Sequence, residues 1–481
     1  RIFSMFCVVF LTLLSLALAG PIDFETDLKH NVDLGRLQKD LAALDEGLKN
    51  TPDTEAEIEL LKAAYSKTVI ESPAPINGST CKDEDANELN EKAGEEKDLF
   101  EGDVLLTNDQ LALIESLHKS NRSRRQALKD AGYSWGSGNP VIPYSYSATY
   151  PQATRRPTIT AAMKYWEKFT CVRFKEVSSG YRVEVRESKG CSSYVGKIND
   201  RTGTQGLNLA EGCMSVGTIC HELSHTFGFF HVQSRFDRDR YVDIDFNNIL
   251  TDDKHNFDLE KEDKTLLRDI PYEFGSNMHY YHKDFARDSS KPAIYAKPAY
   301  KIYQEGMMGR VPTFYDILGV NKHFNCAANC KTSISCSNGG VQDVNNCNKC
   351  LCPLGWAGDK CDQRPPNTTT IPATATLQTK RVDMKFGAKG TEYKVEYYLF
   401  KAPAGQKVQM TPKILGTRWS NSCDPMGIEI KFLRDSRPSG LQVCDWRVQQ
   451  PTVTSETNEM LVQAYTLGEQ FAVEMTFKAV N

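Results

Sequence analysis

Residues 221 to 231 read His221-Glu222-Leu223-Ser224-His225-Thr226-Phe227-Gly228-Phe229-Phe230-His231. His221 and His225 stand four apart, so on a helix they share one face about one turn apart, and both imidazoles can reach a single metal ion. Glu222, one step round that helix, can hold a water beside the metal. Gly228 falls where the chain must turn through positive φ, which glycine tolerates, and the turn returns His231 as a third ligand. Three neutral imidazoles suit Zn²⁺ and leave positions open for water and substrate, as in a catalytic rather than a structural site. Any one of these histidines alone would read as core or surface packing; three at this spacing, with the Glu and the Gly in place, read as a metal site. The nearby Ser224 and Cys220 need no nucleophilic role, because a metal-activated water requires no covalent intermediate.

The rest of the chain must position that segment. It has 481 residues and a net charge of −4, so no basic excess argues for nucleic acid as a partner. A composition of 40% hydrophobic and 25% charged residues is that of globular protein, and at about 150 residues per domain the length suggests roughly three units. The 15 cysteines are clustered, which points to an oxidising compartment unless they bind metal. Phe6 to Leu18 is an apolar run closing on Ala17-Leu18-Ala19 before Gly20, so residues 1–19 read as a signal peptide of a secreted, extracellular protein. At about 13 residues the run is too short to span a bilayer, which takes roughly 20, and no other stretch qualifies as a membrane span. Residues 20–125 are rich in Glu, Asp, Lys and Leu, with Leu34, Leu37, Leu41 and Leu44 at helical spacing, and read as a pro-segment. This stretch ends in Arg122-Ser123-Arg124-Arg125, where a processing protease would cut between Arg125 and Gln126; a solvated basic turn is the alternative. Asn77, Asn121 and Asn367 each open a glycosylation sequon.

Downstream lies Ser276-Asn277-Met278-His279-Tyr280, and shortly after the third His comes Arg235-Phe236-Asp237-Arg238-Asp239. With these the chain resembles the astacin family of metzincin zinc proteases. The likeness extends over Ile142-Pro143-Tyr144, Trp166 to Phe174 and Tyr315 to Cys326, which resemble the family's early strand, first long helix and exit, and C-terminal helix. The resemblance implies an α+β protease domain with a zinc cleft over residues 126–326, one catalytic zinc on His221, His225 and His231, and peptide-bond hydrolysis of extracellular proteins. It further implies Glu222 as the proton shuttle, Met278 beneath the ligands, and Tyr280 as a further ligand that swings out to stabilise the oxyanion. Phe100-Glu101-Gly102-Asp103 is similar to the family's latency motif, which implies that Asp103 occupies the zinc in the uncleaved zymogen. After the third His the family commonly carries a Glu that meets the new N-terminus of the cleaved enzyme. Here Val232 stands in that position, and it cannot make that pair.

Cys7 falls with the signal and Cys81 with the pro-segment, which leaves an odd number in the mature chain. The family pattern implies Cys171–Cys326 and Cys191–Cys213. The dense cluster that ends Cys352-Pro-Leu-Gly-Trp-Ala-Gly-Asp-Lys-Cys361 is similar to an EGF-like module over residues 327–362, implying Cys330–Cys347, Cys336–Cys350 and Cys352–Cys361. A zinc knuckle is the alternative. Pro- and Thr-rich residues 363–375 read as a linker. Residues 376–481 read as an all-β strand sandwich with Cys423 and Cys444, and resemble a CUB domain, a binding module for a matrix or protein partner; an inert spacer is the alternative. Cys220 is either a buried, inert thiol or the partner of Cys81. Against an active zinc endopeptidase stand a zinc enzyme acting on something other than peptides, which would need a different motif from Ser276 to Tyr280, and a non-catalytic adhesion or regulatory protein that keeps the protease fold. Such a protein would be expected to lose Glu222 or a histidine, and this chain has them all.

Overall fold

The computed structural model describes residues 86–94, 99–111, 133–198, 203–259, 270–384, 393–415, 423, 426–445, 450–466 and 470–481. The expected leader, the Leu34–Leu44 helix, the cut site at Arg125 and Gln126, Cys81, Asn77 and Asn121 lie outside them.

The first unit is built on a six-stranded sheet. Its strands are β1 (Val104–Leu105), β2 (Val141–Tyr146), β3 (Arg173–Glu176), β4 (Arg182–Arg186), β5 (Cys191–Tyr194) and β6 (Thr204–Leu209), in the order β1-β5-β6-β4-β2-β3. β6, β4, β2 and β3 run parallel and β5 runs against β6. β1 extends the edge by pairing parallel with β5, Val104 opposite Ser193. The pattern of β4, Arg-Val-Glu-Val-Arg, buries Val183 and Val185 on one face, as the two-residue period of a strand requires.

Against the sheet lie α1 (Ala86–Ala93), α2 (Gln152–Phe169) and α3 (Val216–Phe227); α4 (Phe314–His323) packs at the end of α2, where the Asn321 amide donates to the Phe169 carbonyl at 3.0 Å. Ile159, Ala162, Met163 and Trp166 recur at helical spacing and form the buried face of α2. Trp166 packs edge-on to Phe227 of α3 at 5.3 Å, and its indole donates to the Cys220 carbonyl at 3.3 Å. α3 starts at Ser215, whose hydroxyl accepts from the Thr218 N–H, and stops at Gly228 with φ 113°. A small two-stranded sheet, β7 (Val242–Ile244) with β8 (Ile294–Ala296), lies beyond. Cys171–Cys326 ties the end of α2 to the end of α4, and Cys191–Cys213 ties β5 to the turn before α3.

A compact loop unit follows, with β9 (Val341–Gln342), β10 (Cys350–Leu351) and three disulfides, Cys330–Cys347, Cys336–Cys350 and Cys352–Cys361. Its Asn345 amide donates to the carbonyls of Glu167, Lys168 and Thr170 at the end of α2. The last unit is a sandwich. One sheet orders β11 (Thr369–Pro372), β13 (Lys394–Lys401), β18 (Glu459–Thr466), β15 (Met426–Lys431) and β16 (Leu441–Val443); the other orders β12 (Gln378–Met384), β19 (Phe471–Val480), β14 (Lys407–Leu415) and β17 (Val453–Thr454). Cys423–Cys444 closes one end. One expectation needs correcting: residues 363–375 are not all linker, because β11 pairs parallel with β13. Its β-branched Thr369, Thr370 and Ile371 favour a strand, and Pro372, which has no N–H to donate, is tolerated because β11 is at the sheet edge. Among the described residues no helix is long and apolar enough to cross a membrane.

The sandwich is docked on the first unit. The backbone N–H and hydroxyl of Ser439 both donate to the buried Glu273 carboxylate. Burial pushes the Glu273 carboxyl up to about 7; Asp316 acts in the same direction, and Ser439 and Lys431 oppose it. The folded chain therefore holds this proton more tightly than the unfolded chain, whose Glu titrates near 4.3. The corresponding stability is present below about pH 4.3 and is lost as pH rises through about 7, to a limit of about 4 kcal/mol. Glu273→Gln is expected to remove that part of the pH dependence, read as the wild-type minus variant difference in thermal midpoint between pH 4.5 and 7.5.

Candidate metal centre

α3 presents His221 and His225 on one buried face, and the turn at Gly228 brings His231 back to them. The Nε2 atoms of His225 and His231 each lie 3.2 Å from Nε2 of His221. Asp103, from the segment before residue 126, closes the fourth side. Its carboxylate lies 2.9 Å from His221 Nε2, 3.2 Å from His225 Nε2 and 3.4 Å from His231 Nε2. The four ligand atoms lie within 4.8 Å of one another, and all four residues are buried.

The outer nitrogens decide what the inner ones can do. His221 Nδ1 donates to the Asn277 carbonyl at 2.7 Å, and His225 Nδ1 donates to the Phe229 carbonyl at 2.7 Å. Burial, the largest influence, also holds His225 below its ordinary pKa and so neutral. In a neutral ring such an Nδ1 bond leaves the inward lone pair on Nε2. Lone pairs and a carboxylate that converge in a buried space call for a cation between them. On His231 burial opposes a positive charge, but Asp103 and then Glu101 outweigh burial and lift the ring to about 10. With a metal, His231 Nε2 offers a third lone pair. The nitrogen spacing fits zinc, since a tetrahedron with bonds of about 2.0–2.1 Å has edges near 3.3 Å.

Glu222 is fully buried, and neither carboxylate oxygen has a hydrogen-bond partner. Burial, and then the Asp103 charge, push its carboxyl well above the usual range. Met278 is buried, and its carbonyl accepts from the Val232 N–H at 2.8 Å, tying the 276–280 turn to the residue after the third histidine. The Tyr280 ring lies 4.6 Å from that of His231, but its hydroxyl donates to the Glu101 carbonyl at 2.7 Å. Arg235 pairs with Asp237 and donates to the Ile270 carbonyl. Cys220 is a free, buried thiol whose Sγ lies 3.8 Å from the Ala162 carbonyl.

Sequence reasoning missed Glu101. Its carboxylate accepts from both Nδ1 (2.8 Å) and the backbone N–H (3.2 Å) of His231, with φ 47° at Glu101 itself. The available signal was an acid two residues before Asp103, which the reading passed over. The Asn277 and Phe229 carbonyls left no signal in residue type.

A buried cage of imidazoles beside an unpartnered glutamate, set against an α+β sheet, defines a metal-dependent hydrolase. Residues 127–325 match the model of the Astacin peptidase family. The chain is 34% identical to zinc metalloproteinase nas-28 of Caenorhabditis elegans over 423 residues, 84% of this chain and 83% of that protein. Among solved structures it is similar to high choriolytic enzyme 1, a hatching enzyme zinc-protease of the medaka fish Oryzias latipes. There the identity is 32% and the TM-score 0.37, over 41% of this chain and 98% of that one. A further likeness, at 13% identity and TM-score 0.18, is to the CUB1-EGF-CUB2 domains of rat MASP-1, over 23% of this chain and 43% of that one. The chain belongs to the astacin family and is a zinc metalloendopeptidase.

In the uncleaved, zinc-loaded chain, Asp103→Ala is expected to admit a small hydroxamate that the wild type excludes. Glu101→Ala removes charge-assisted hydrogen bonds worth about 1.5–3 kcal/mol each and should give a smaller gain. Calorimetric titration with acetohydroxamate checks both, and equal binding by all three proteins would rule out a blocking role for the segment.

Proposed function

We propose that the chain is a secreted endopeptidase made as a zymogen, with Glu222 as its proton shuttle and extracellular proteins as its substrates. The observation that carries this reading is the convergence of His221, His225, His231 and Asp103 on one buried point beside the unpartnered Glu222. Residues 1–19 are the signal, residues 20–125 the pro-segment, removed after Arg125 so that Gln126 becomes the first residue, and residues 126–326 the protease. Residues 327–362 are EGF-like. Residues 376–481, with the edge strand β11, are CUB-like and bind a matrix or protein partner. Six disulfides support an oxidising compartment, and the exposure of Asn367 supports a glycan there, as on Asn77 and Asn121.

Zinc held by His221, His225 and His231 supplies Lewis acidity to a water and to the scissile carbonyl. Glu222 takes a proton from the attacking water as its oxygen bonds to the carbonyl carbon, and hands that proton to the amine as the carbon–nitrogen bond breaks. While the pro-segment is in place, Asp103 fills the position the water needs and the Glu101 carbonyl holds the Tyr280 hydroxyl. Loss of the segment frees Tyr280 to donate to the oxyanion, and Met278 packs beneath the ligands.

The test is casein cleavage by residues 126–481 with bound zinc quantified. Glu222→Gln is expected to keep one zinc per chain and lose about 10²–10⁴ in rate. A wild type that holds zinc and cuts no protein would sink this reading in favour of an adhesion or regulatory role.

A further inference from the structure

Three consecutive residues lead into the turn that carries Met278, and each reaches the C-terminal sandwich. Glu273 accepts both Ser439 hydrogen bonds. Phe274 stacks on Tyr303 at 5.0 Å, and Tyr303 packs on the sandwich core with Phe432 at 6.1 Å. Gly275 allows the close approach: a Cβ there would lie 2.4 Å from Ser439 Oγ and 2.9 Å from Gln442 Nε2.

The neighbouring stretch does the same from the other side. The N–H groups of Met308 and Gly309 donate to the Phe274 and Ser276 carbonyls at 3.1 and 3.0 Å. Next, Arg310 runs into the sandwich. Its guanidinium lies 3.6 Å from the Tyr465 ring centroid, donates to Gln463 Oε1 at 3.0 Å and lies 3.7 Å from Glu429 Oε2. The Arg310 carbonyl abuts Gly217 at the start of α3, where a Cβ would sit 1.9 Å from it. Between these two grips lies Asn277. Its side-chain amide donates to the Gly217 and Gly309 carbonyls at 3.3 and 3.2 Å, and its own carbonyl accepts from His221 Nδ1.

We propose that the C-terminal sandwich is a positioning element of the metal centre: through Ser439 on Glu273, and Arg310 on Tyr465 and Gln463, it holds the Asn277 carbonyl against His221. The inference rests on the reading of His221 as a zinc ligand. A carbonyl on the outer nitrogen of a ligating histidine fixes the ring's tautomer and angle and raises its basicity; losing such a partner costs about 10- to 100-fold in metal affinity or activity. Ser439, Glu273 and Arg310 are thus positioning residues, acting on the metal through the turn.

The test uses residues 126–481, in the wild type and in Ser439→Asp, Ser439→Ala, Ser439→Thr and Arg310→Gln. The readouts are zinc transfer to a chelator, the visible spectrum of the Co²⁺-loaded site, and kcat and KM on a short peptide. Ser439→Asp sets a second carboxylate against Glu273 and is expected to speed zinc loss about 10- to 100-fold, alter the cobalt spectrum and lower kcat with KM unchanged. Ser439→Ala and Arg310→Gln should move the same readouts less, and Ser439→Thr should restore them. If the Ser439→Ala and Arg310→Gln proteins, with Cys423–Cys444 intact by mass mapping, match the wild type in all three readouts, the sandwich is a tether and the proposal fails. A wild type that binds Co²⁺ but cuts no peptide defeats the functional reading alone, because the spectra still decide this one. A wild type that binds neither metal overturns both.

Discussion

Two imidazole nitrogens held 3.2 Å apart beside a buried carboxylate are an arrangement no protein core keeps without a reason. His221 and His225 each donate the outer proton to a backbone carbonyl, so in the neutral rings both lone pairs are turned inward and repel. Much of the first unit can be read as the means of sustaining it. α3 is clamped by Trp166 and ended by Gly228, so its histidines cannot rotate away. The turn at Asn277 supplies one carbonyl, and Phe229, just beyond the helix end, supplies the other.

The same electrostatics explain how the segment before residue 126 occupies the centre. A carboxylate is the natural guest of a cationic cage and a poor one for a neutral cage. Burial works against the Asp103 charge, yet the facing histidines, His231 foremost, outweigh it and hold its carboxyl well below the usual range. Glu101 adds a second carboxylate on the far side of His231, and the neighbouring Phe100 ring meets Phe230 edge-on at 6.2 Å. Thus the segment binds the site by charge and is anchored by apolar contact, while β1 adds backbone pairing at the edge of the sheet.

What was legible in the sequence follows from the distance over which each interaction acts. The His221–His231 spacing reports a helix and a turn because 3.6 residues per turn is a local rule. The all-β reading of residues 376–481 was available from β-branched and aromatic content such as that of β13 and β18. β11 was hidden because the Pro and Thr composition of residues 363–375 outweighed a three-residue β-branched run. Glu101 reaches His231 across 130 residues, and Ser439 reaches Glu273 across 166. No period or motif encodes such meetings; only the folded chain brings those residues together.

That distinction bears on Val232. The chain resembles a family in which an acid here commonly meets the new N-terminus, a pair that Val232 cannot make. In this chain Val232 lines a small cavity together with Glu273, Met278 and Asp316. Both of those acids are already engaged: Glu273 by Ser439, and Asp316 by Thr313, Ser276 and Asn277. The turn is therefore held from the sandwich side through Glu273 and from the start of α4 through Asp316, and neither contact involves residue 232. An apolar residue at 232 is compatible with an ordered turn for that reason.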